Sequence, residues 1–467
     1  MRSLWLQEAL DGEEGGDDDA PVLRGSKRAD VCVVGGGYVG LWTALRIKEL
    51  DPSVDVAVVE ADVCGGGASG RNGGFVLTWW PKFASIAKLG GIEEARRLCR
   101  ASADGVASIG AFCAEHGIDA RFHMDGYLWA ATNASQMGDW RPMIDGLARY
   151  DEHPFEELEP AEVAARTGSP VHLGGAFERT AAVVQPALLA RGMRRVALER
   201  GISIFERSPM VDLEAVAGGA LVRTGVGAVR AGRVVLAMNA WAVRYAEIRR
   251  RVLVIGSDIV ATARAPERLA EIGWTDGMSI SDSRLLVHYY RTTDDGRVAF
   301  GKGGGRLAFG GAVGTRFEGE APYAAEAEKG LRRTYPKLKD VPVTHRWTGP
   351  IDRTRNGLPF FATLEGSPAV VYGVGFSGNG VGPSYVAGRI LASMALDRDD
   401  EWSACPLVGR PHRRWPPEPA RFVGGSTMKG AMLRVERAQD AGRPPSGLDT
   451  ALLRLAPTGI LPMRVRT

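Results

Sequence analysis

Asp30–Glu60 reads DVCVVGGGYVGLWTALRIKELDPSVDVAVVE, and this stretch decides the fold. Val31–Val34 is a short β-branched run that stops at glycines, as a buried parallel strand does. From Tyr38 to Leu50 the apolar positions Leu41, Ala44, Leu45 and Ile47 recur at helical spacing. Residues 54–60, VDVAVVE, read as a second buried strand, so the whole is one βαβ unit. Gly35, Gly37 and Gly40 spell GxGxxG at its first turn. The first permits the tight turn, the second lets backbone approach a pyrophosphate, and the third allows close helix–strand contact. Tyr38 and Val39 open a helix whose free amides and dipole favour phosphate. Glu60 and the adjoining Ala61 end the second strand, where a carboxylate takes the hydroxyls of an unphosphorylated adenosine ribose. A dinucleotide is implied, and NADP is disfavoured.

Further along, the residues distinguish between dinucleotides. Residues 67–74, GASGRNGG, are stripped of bulk except at Arg71 and Asn72. Gly67, Ala68, Ser69, Gly73 and Gly74 leave room for a second phosphate, a ribityl chain and a flavin ring, which NAD does not require. The bland alternative is a flexible loop. A second glycine-rich turn, Gly375, Phe376, Ser377, Gly378, Asn379, Gly380 and Val381, enters a predicted helix over 384–396. Amides at such a helix entry would stabilise negative charge on a reduced flavin; the alternative is an ordinary helix cap.

With these residues in view the chain resembles the D-amino-acid-oxidase-type FAD oxidoreductases. It is most similar to the branches of γ-glutamylputrescine oxidase and aminophosphonate oxidoreductases. The resemblance continues at 183–186 (VVQP), at 201–211 where the family's adenine-contacting segment ends at Val211, at 237–241 (AMNAW, with Ala237), and at 375–391. It covers roughly residues 30–400 and is strongest over the cofactor domain. The resemblance implies oxidation of an amine or amino acid, aminophosphonates included, by hydride transfer to flavin N5. The imine then hydrolyses, and oxygen reoxidises the flavin to give hydrogen peroxide. Such chemistry needs an oriented amine and a dry site rather than a proton-transfer triad.

The expected fold is α/β: a discontinuous Rossmann-like FAD-binding domain (29–85, 180–250, 345–400) and an α+β substrate domain on a mainly antiparallel sheet (86–179, 251–344). Strands are predicted at 202–205, 234–238, 251–263, 285–291, 297–301 and 370–374. An N-terminal arm (1–28), with the acidic run DGEEGGDDDA, and a C-terminal arm (401–467), with a helix at 429–441, are expected to lie outside both domains.

Candidate substrate and catalytic residues are less constrained. Trp79 and Trp80 follow the flavin loop and would wall the ring, or else belong to the core. On the strand around 288–291, alternation sends His288 and Tyr290 to one face, Tyr289 and Arg291 to the other; His288 and Tyr290 are the catalytic candidates. Lys302 is placed where some amine oxidases of this fold keep a lysine that assists oxygen reduction. Arg346 and Arg353, with Arg355, flank GPIDRTRNGLP and would bind a carboxylate or phosphonate bidentately.

Composition narrows the alternatives. Glycine supplies 61 of 467 residues, about twice the usual share, consistent with many close backbone approaches. A net charge of +3 implies no bulk attraction to nucleic acid. The five cysteines are scattered without metal-ligand spacing, so no metal and a reduced, cytoplasmic setting are expected. No cysteine lies between Cys113 and Cys405 and no histidine falls in the glycine motifs, so FAD is expected to be non-covalent. No apolar run of about 18 residues predicts a membrane span. Three rivals stay open: a dehydrogenase passing electrons to another acceptor, a flavin monooxygenase, and a flavin-binding subunit without turnover.

Overall fold

The structure is a computed structural model that describes residues 2–13, 20–274, 276–314, 317, 319, 321–409 and 412–457. Two eight-stranded sheets organise it. The first runs Phe360–Leu364, Ser367–Val374, Gly227–Leu236, Gly25–Val34, Val56–Val59 and Ser203–Phe205, with the hairpin Met210–Val216 and Gly219–Thr224 attached to Gly227–Leu236. Its centre is parallel: Val31 aligns with Val56 and Arg233, and Val34 with Val59 and Leu236. Helices Tyr38–Leu50 and Val381–Ala395 cover one face, where Trp42 meets Tyr385 edge-on at 5.0 Å.

The second sheet runs Val343–Arg353, Leu253–Thr262, Val298–Lys302, His288–Thr292, Ser279–Asp282, Tyr127–Ala131, Gly174–Glu178 and Phe155–Leu158. Every pair in it is antiparallel except Ser279–Asp282 with Tyr127–Ala131. The α/β class with one Rossmann-like and one mainly antiparallel layer is therefore the architecture.

Several segments lie differently from their expected places. Val343–Arg353 pairs with Leu253–Thr262 along its whole length, so the segment from 345 begins inside the second sheet. Helix Ile92–Glu115, expected with the substrate domain, packs in the core of the first sheet, with Phe112 against Trp42 at 4.8 Å. Order also begins well before Asp30. Leu4–Asp11 is a helix capped by Ser3, because Leu4, Trp5, Leu6 and Ala9 give it an apolar stripe to bury. The acidic positions 14–19 lie outside the described residues. At the other end, Ala420–Asp440 and Gly447–Arg454 are helices that dock rather than hang free. Glu436 accepts from the Leu286 amide at 2.6 Å, Arg284 donates to Asp440 at 2.6 Å, and Lys429 donates to the Gly305 carbonyl at 2.9 Å.

Candidate functional site

A cleft of about 1210 Å³ runs from the carboxyl ends of the parallel strands to the face of the second sheet. Its floor at one end is the turn at Gly35 and Gly37, with Tyr38 and Val39 at the helix entry. The glycines are required by space. A Cβ on Gly35 would sit 2.5 Å from the Ala237 carbonyl oxygen, and one on Gly37 would sit 2.9 Å from Ser69 Oγ. Gly40 does not line the cleft; it lets the helix cross the strand, since a Cβ there would overlap the Gly35 carbonyl.

Glu60 Oε2 accepts from the Gly36 amide at 2.6 Å, and Oε1 accepts from the Asp62 amide at 2.9 Å. Burial raises its pKa, while these two amides pull it down. Ala61, Gly67, Ala68, Ser69, Arg71, Asn72 and Gly73 continue the lining, with Ala237 opposite. Gly74 lies just behind them at φ 77°, where a Cβ would strike the Val184 carbonyl. Val211 points out to solvent, 52% exposed; its strand neighbour Met210 lines the cleft instead, because alternation sends the two side chains apart.

At the far end Phe376, Ser377, Gly378, Asn379, Gly380 and Val381 line the cleft at the N-terminus of helix Val381–Ala395. Gly375 supports them at φ 92°, its amide donating to Asp352 Oδ2 at 2.5 Å. Burial pushes the Asp352 carboxyl up to about 7, against the stabilising amides of this turn. The roof comes from the second sheet: Tyr289, whose hydroxyl is 2.7 Å from Ser257 Oγ, and Tyr127, whose hydroxyl is 2.5 Å from Ser281 Oγ. Tyr289 stands over Gly73, where a Cβ would lie 3.2 Å from its ring.

The substrate-side expectations need correction. The alternation at 288–291 holds, but the face that opens onto the cleft is that of Tyr289. His288 and Tyr290 point the other way, His288 Nδ1 2.8 Å from Asp282 Oδ2 and Tyr290 hydroxyl 2.6 Å from His172 Nε2. Lys302 is paired with His288 across the ladder and shares its face; its amine sits 3.4 Å from the Leu286 carbonyl and from His288 Nε2. Trp79 and Trp80 are buried in the core, outside the cleft lining. Arg346 is on the surface, paired with Glu328 at 3.0 Å, and is not among the residues that line the cleft. Arg355 donates to the Arg414 carbonyl at 3.0 Å. Of Arg346, Arg353 and Arg355, Arg353 lines the cleft.

Lys82, two residues past Trp80, lines the cleft as well. Its amine makes no hydrogen bond or ion pair with any described residue, and burial, reinforced by the charge of Arg353, lowers its pKa to about 8. Its only signal in the sequence was its place after the flavin loop. No cysteine or histidine is among the described residues lining the cleft, and the five cysteines are buried and unpaired. Among the described residues no cluster is suited to hold a metal, and no helix is long and apolar enough to cross a membrane.

A narrow glycine floor, a carboxylate at the end of the second strand and a helix N-terminus at the other end fit one elongated dinucleotide. The FAD dependent oxidoreductase (DAO) family model matches residues 30–394. The chain belongs to that family. Its sequence is 30% identical to the gamma-glutamylputrescine oxidoreductase of Escherichia coli over 412 residues, covering 87% of this chain and 91% of that protein. It is 24% identical to the glycine oxidase of Bacillus licheniformis, covering 79% and 94%. Among solved structures, glycine oxidase from Geobacillus kaustophilus matches with a TM-score of 0.66 at 19% identity, covering 83% of this chain and 99% of that one. FAD is therefore the cofactor, and the chain is an FAD-dependent oxidoreductase. Glu60, the Gly35–Gly37 floor and the loop 67–73 would hold its adenosine and diphosphate, and the turn 376–381 its flavin edge.

Proposed function

We propose that this enzyme oxidises the C–N bond of an amine or amino acid that also carries an acidic group, with oxygen as the electron acceptor. The observation that carries this reading is that the neighbouring cations Lys82 and Arg353 join Arg71, Arg244 and Arg249 in lining the cleft that contains the FAD cradle. The similarity to the E. coli and Bacillus relatives, named for a glutamyl-modified diamine and for glycine, supports the same class.

FAD, when bound, supplies a two-electron acceptor. The chain's own residues do the rest. Arg353 and Lys82 attract the substrate's acidic group and fix its position. The phenols of Tyr127 and Tyr289, whose pKa values burial raises, stay protonated and cap the cleft against water. The substrate C–H leaves as a hydride while the amine lone pair forms the C=N bond. Water adds to the imine and releases ammonia or an amine with a carbonyl product. Oxygen accepts the two electrons and two protons to become hydrogen peroxide.

The test is anaerobic mixing of the yellow holoenzyme with a panel of amines, amino acids and aminophosphonates, followed by air. Substrates bearing both an amine and an acid should bleach the flavin, and air should restore it with peroxide. Bleaching without peroxide would move the assignment to a dehydrogenase, and bleaching by NADPH alone would move it to a monooxygenase.

A further inference from the structure

The flavin loop is held from behind in an unusually complete way. Four consecutive carbonyls each accept from a side-chain donor drawn from elsewhere in the chain. Ser3 Oγ donates to Gly70 O, Trp347 Nε1 to Arg71 O at 2.9 Å, Trp5 Nε1 to Asn72 O at 2.9 Å, and Arg291 Nε to Gly73 O at 2.9 Å. The donors support one another. Trp5 and Trp347 meet edge-on at 5.9 Å, and the Arg291 guanidinium lies 5.2 Å over the Trp5 ring.

Two of the four donors belong to the N-terminal helix. Ser3 is its cap: the hydroxyl that donates to Gly70 also accepts from the Leu6 amide at 3.1 Å, so helix formation and loop contact share one group. The helix is further tied to the cofactor side of the fold. Gln185 donates to the Trp5 carbonyl at 2.9 Å while capping helix Pro186–Glu199, and Tyr38 of the glycine turn donates to the Pro186 carbonyl at 2.6 Å.

Consequences for the cleft follow from peptide geometry. In a planar trans peptide the N–H points opposite to the C=O. Carbonyls of Arg71 and Asn72 pulled back toward the tryptophans turn the amides of Asn72 and Gly73 the other way. Both residues line the cleft, and neither amide has an acceptor among the described residues. A loop free to flip would instead show carbonyl oxygens to an anionic cofactor.

We propose that the N-terminal helix Leu4–Asp11 is a clasp for FAD, with Trp5 its positioning residue, fixing the loop 70–73 so that its amides face the cofactor. Docking of the helix and binding of FAD are then one coupled equilibrium, and each strengthens the other by the same factor.

The experiment uses full-length protein stripped of FAD. FAD affinity is read from flavin fluorescence quenching, apoprotein stability from the thermal midpoint, and helix docking from hydrogen exchange at residues 4–11. Trp5→Phe keeps a ring but deletes the donor, and should raise the FAD Kd about three- to tenfold with little change in the apoprotein midpoint. Trp5→Ala should raise it about thirtyfold or more. Trp402→Phe, which disturbs a buried ring flanked by Arg97 and Arg389 away from the loop, should leave the affinity unchanged. Adding FAD to wild-type apoprotein should slow exchange at 4–11. Wild-type FAD affinity in Trp5→Phe and Trp5→Ala, or exchange at 4–11 that ignores FAD, overturns the proposal. So does an affinity loss that merely follows the midpoint across all three variants. If Trp5→Ala does not fold, Trp5→Phe and the exchange measurement still decide.

Discussion

The carboxylate of Glu60 ties the glycine turn to the chain just past the second strand, accepting from the Gly36 amide at 2.6 Å and from the Asp62 amide at 2.9 Å. Burial raises the Glu60 pKa, and the two amide bonds only partly offset that cost. Glu60→Gln keeps the shape but replaces one acceptor by a donor facing an amide. FAD affinity should fall by about tenfold or more, measured by titrating apoprotein with FAD. An unchanged affinity would remove Glu60 from the ribose site.

Gly37 offers a sharper test of the same cradle. Its backbone, at φ −84°, suits any residue, so only space forbids a side chain there. Gly37→Val would drive a branched side chain against Ser69 Oγ and into the diphosphate path. The purified variant should be folded and colourless, with no flavin released by acid; a yellow variant would place the diphosphate elsewhere.

The two lysines make opposite predictions. Lys302→Met should leave flavin reduction by substrate and reoxidation by oxygen unchanged, because its amine lies on the far face of the sheet. Lys82→Met should raise KM for an acid-bearing amine. Lys82 titrates near 8, so above that pH it loses its charge and wild-type KM should climb. The variant should lack that rise. Equal effects of both substitutions on reoxidation would restore Lys302 to the oxygen chemistry.

How much of this the sequence disclosed follows physical lines. The cofactor side was readable because it depends on local backbone: Gly35, Gly37 and Gly40 are needed for close approach wherever that turn occurs. The roof was half readable. Period-two alternation correctly paired His288 with Tyr290, but which face meets the cleft depends on how the second sheet sits against the first. Trp79 and Trp80 were ambiguous for the same reason, since large apolar rings serve cores and pockets alike. The role of Trp5 lies in contacts with residues 72, 185, 291 and 347. Such long-range partners leave no periodic trace, and the neighbouring acidic run pointed toward an arm outside both domains.

Adjacent tyrosines on one strand allow a comparison within a single element. Tyr289→Phe removes a hydroxyl that reaches Ser257 in the cleft, and should alter KM while flavin content stays constant. Tyr290→Phe strands His172 Nε2 in the core, costing about 1–3 kcal/mol of stability without changing kinetics. Thermal melts and steady-state kinetics on the two variants check both halves. A kinetic defect in Tyr290→Phe alone would return that face to the active site.

Glu178 supplies a pH dependence of stability. It is fully buried, accepting from Thr78 Oγ1 at 2.5 Å and Thr180 Oγ1 at 3.0 Å, and burial pushes its carboxyl up to about 7 from an ordinary 4.5. Below pH 4.5 the group is protonated in both folded and unfolded chains and contributes no slope. Between 4.5 and 7 the folded chain binds the extra proton, so stability falls as pH rises, and above 7 the loss is complete. The span corresponds to about 3 kcal/mol. Glu178→Gln preserves an oxygen acceptor for the threonines and never ionises. Denaturant unfolding should therefore find the variant close to wild type at pH 4.5 and more stable at pH 8, with the gap opening across that window. A gap that is constant with pH would mean that the folded Glu178 titrates near its ordinary value.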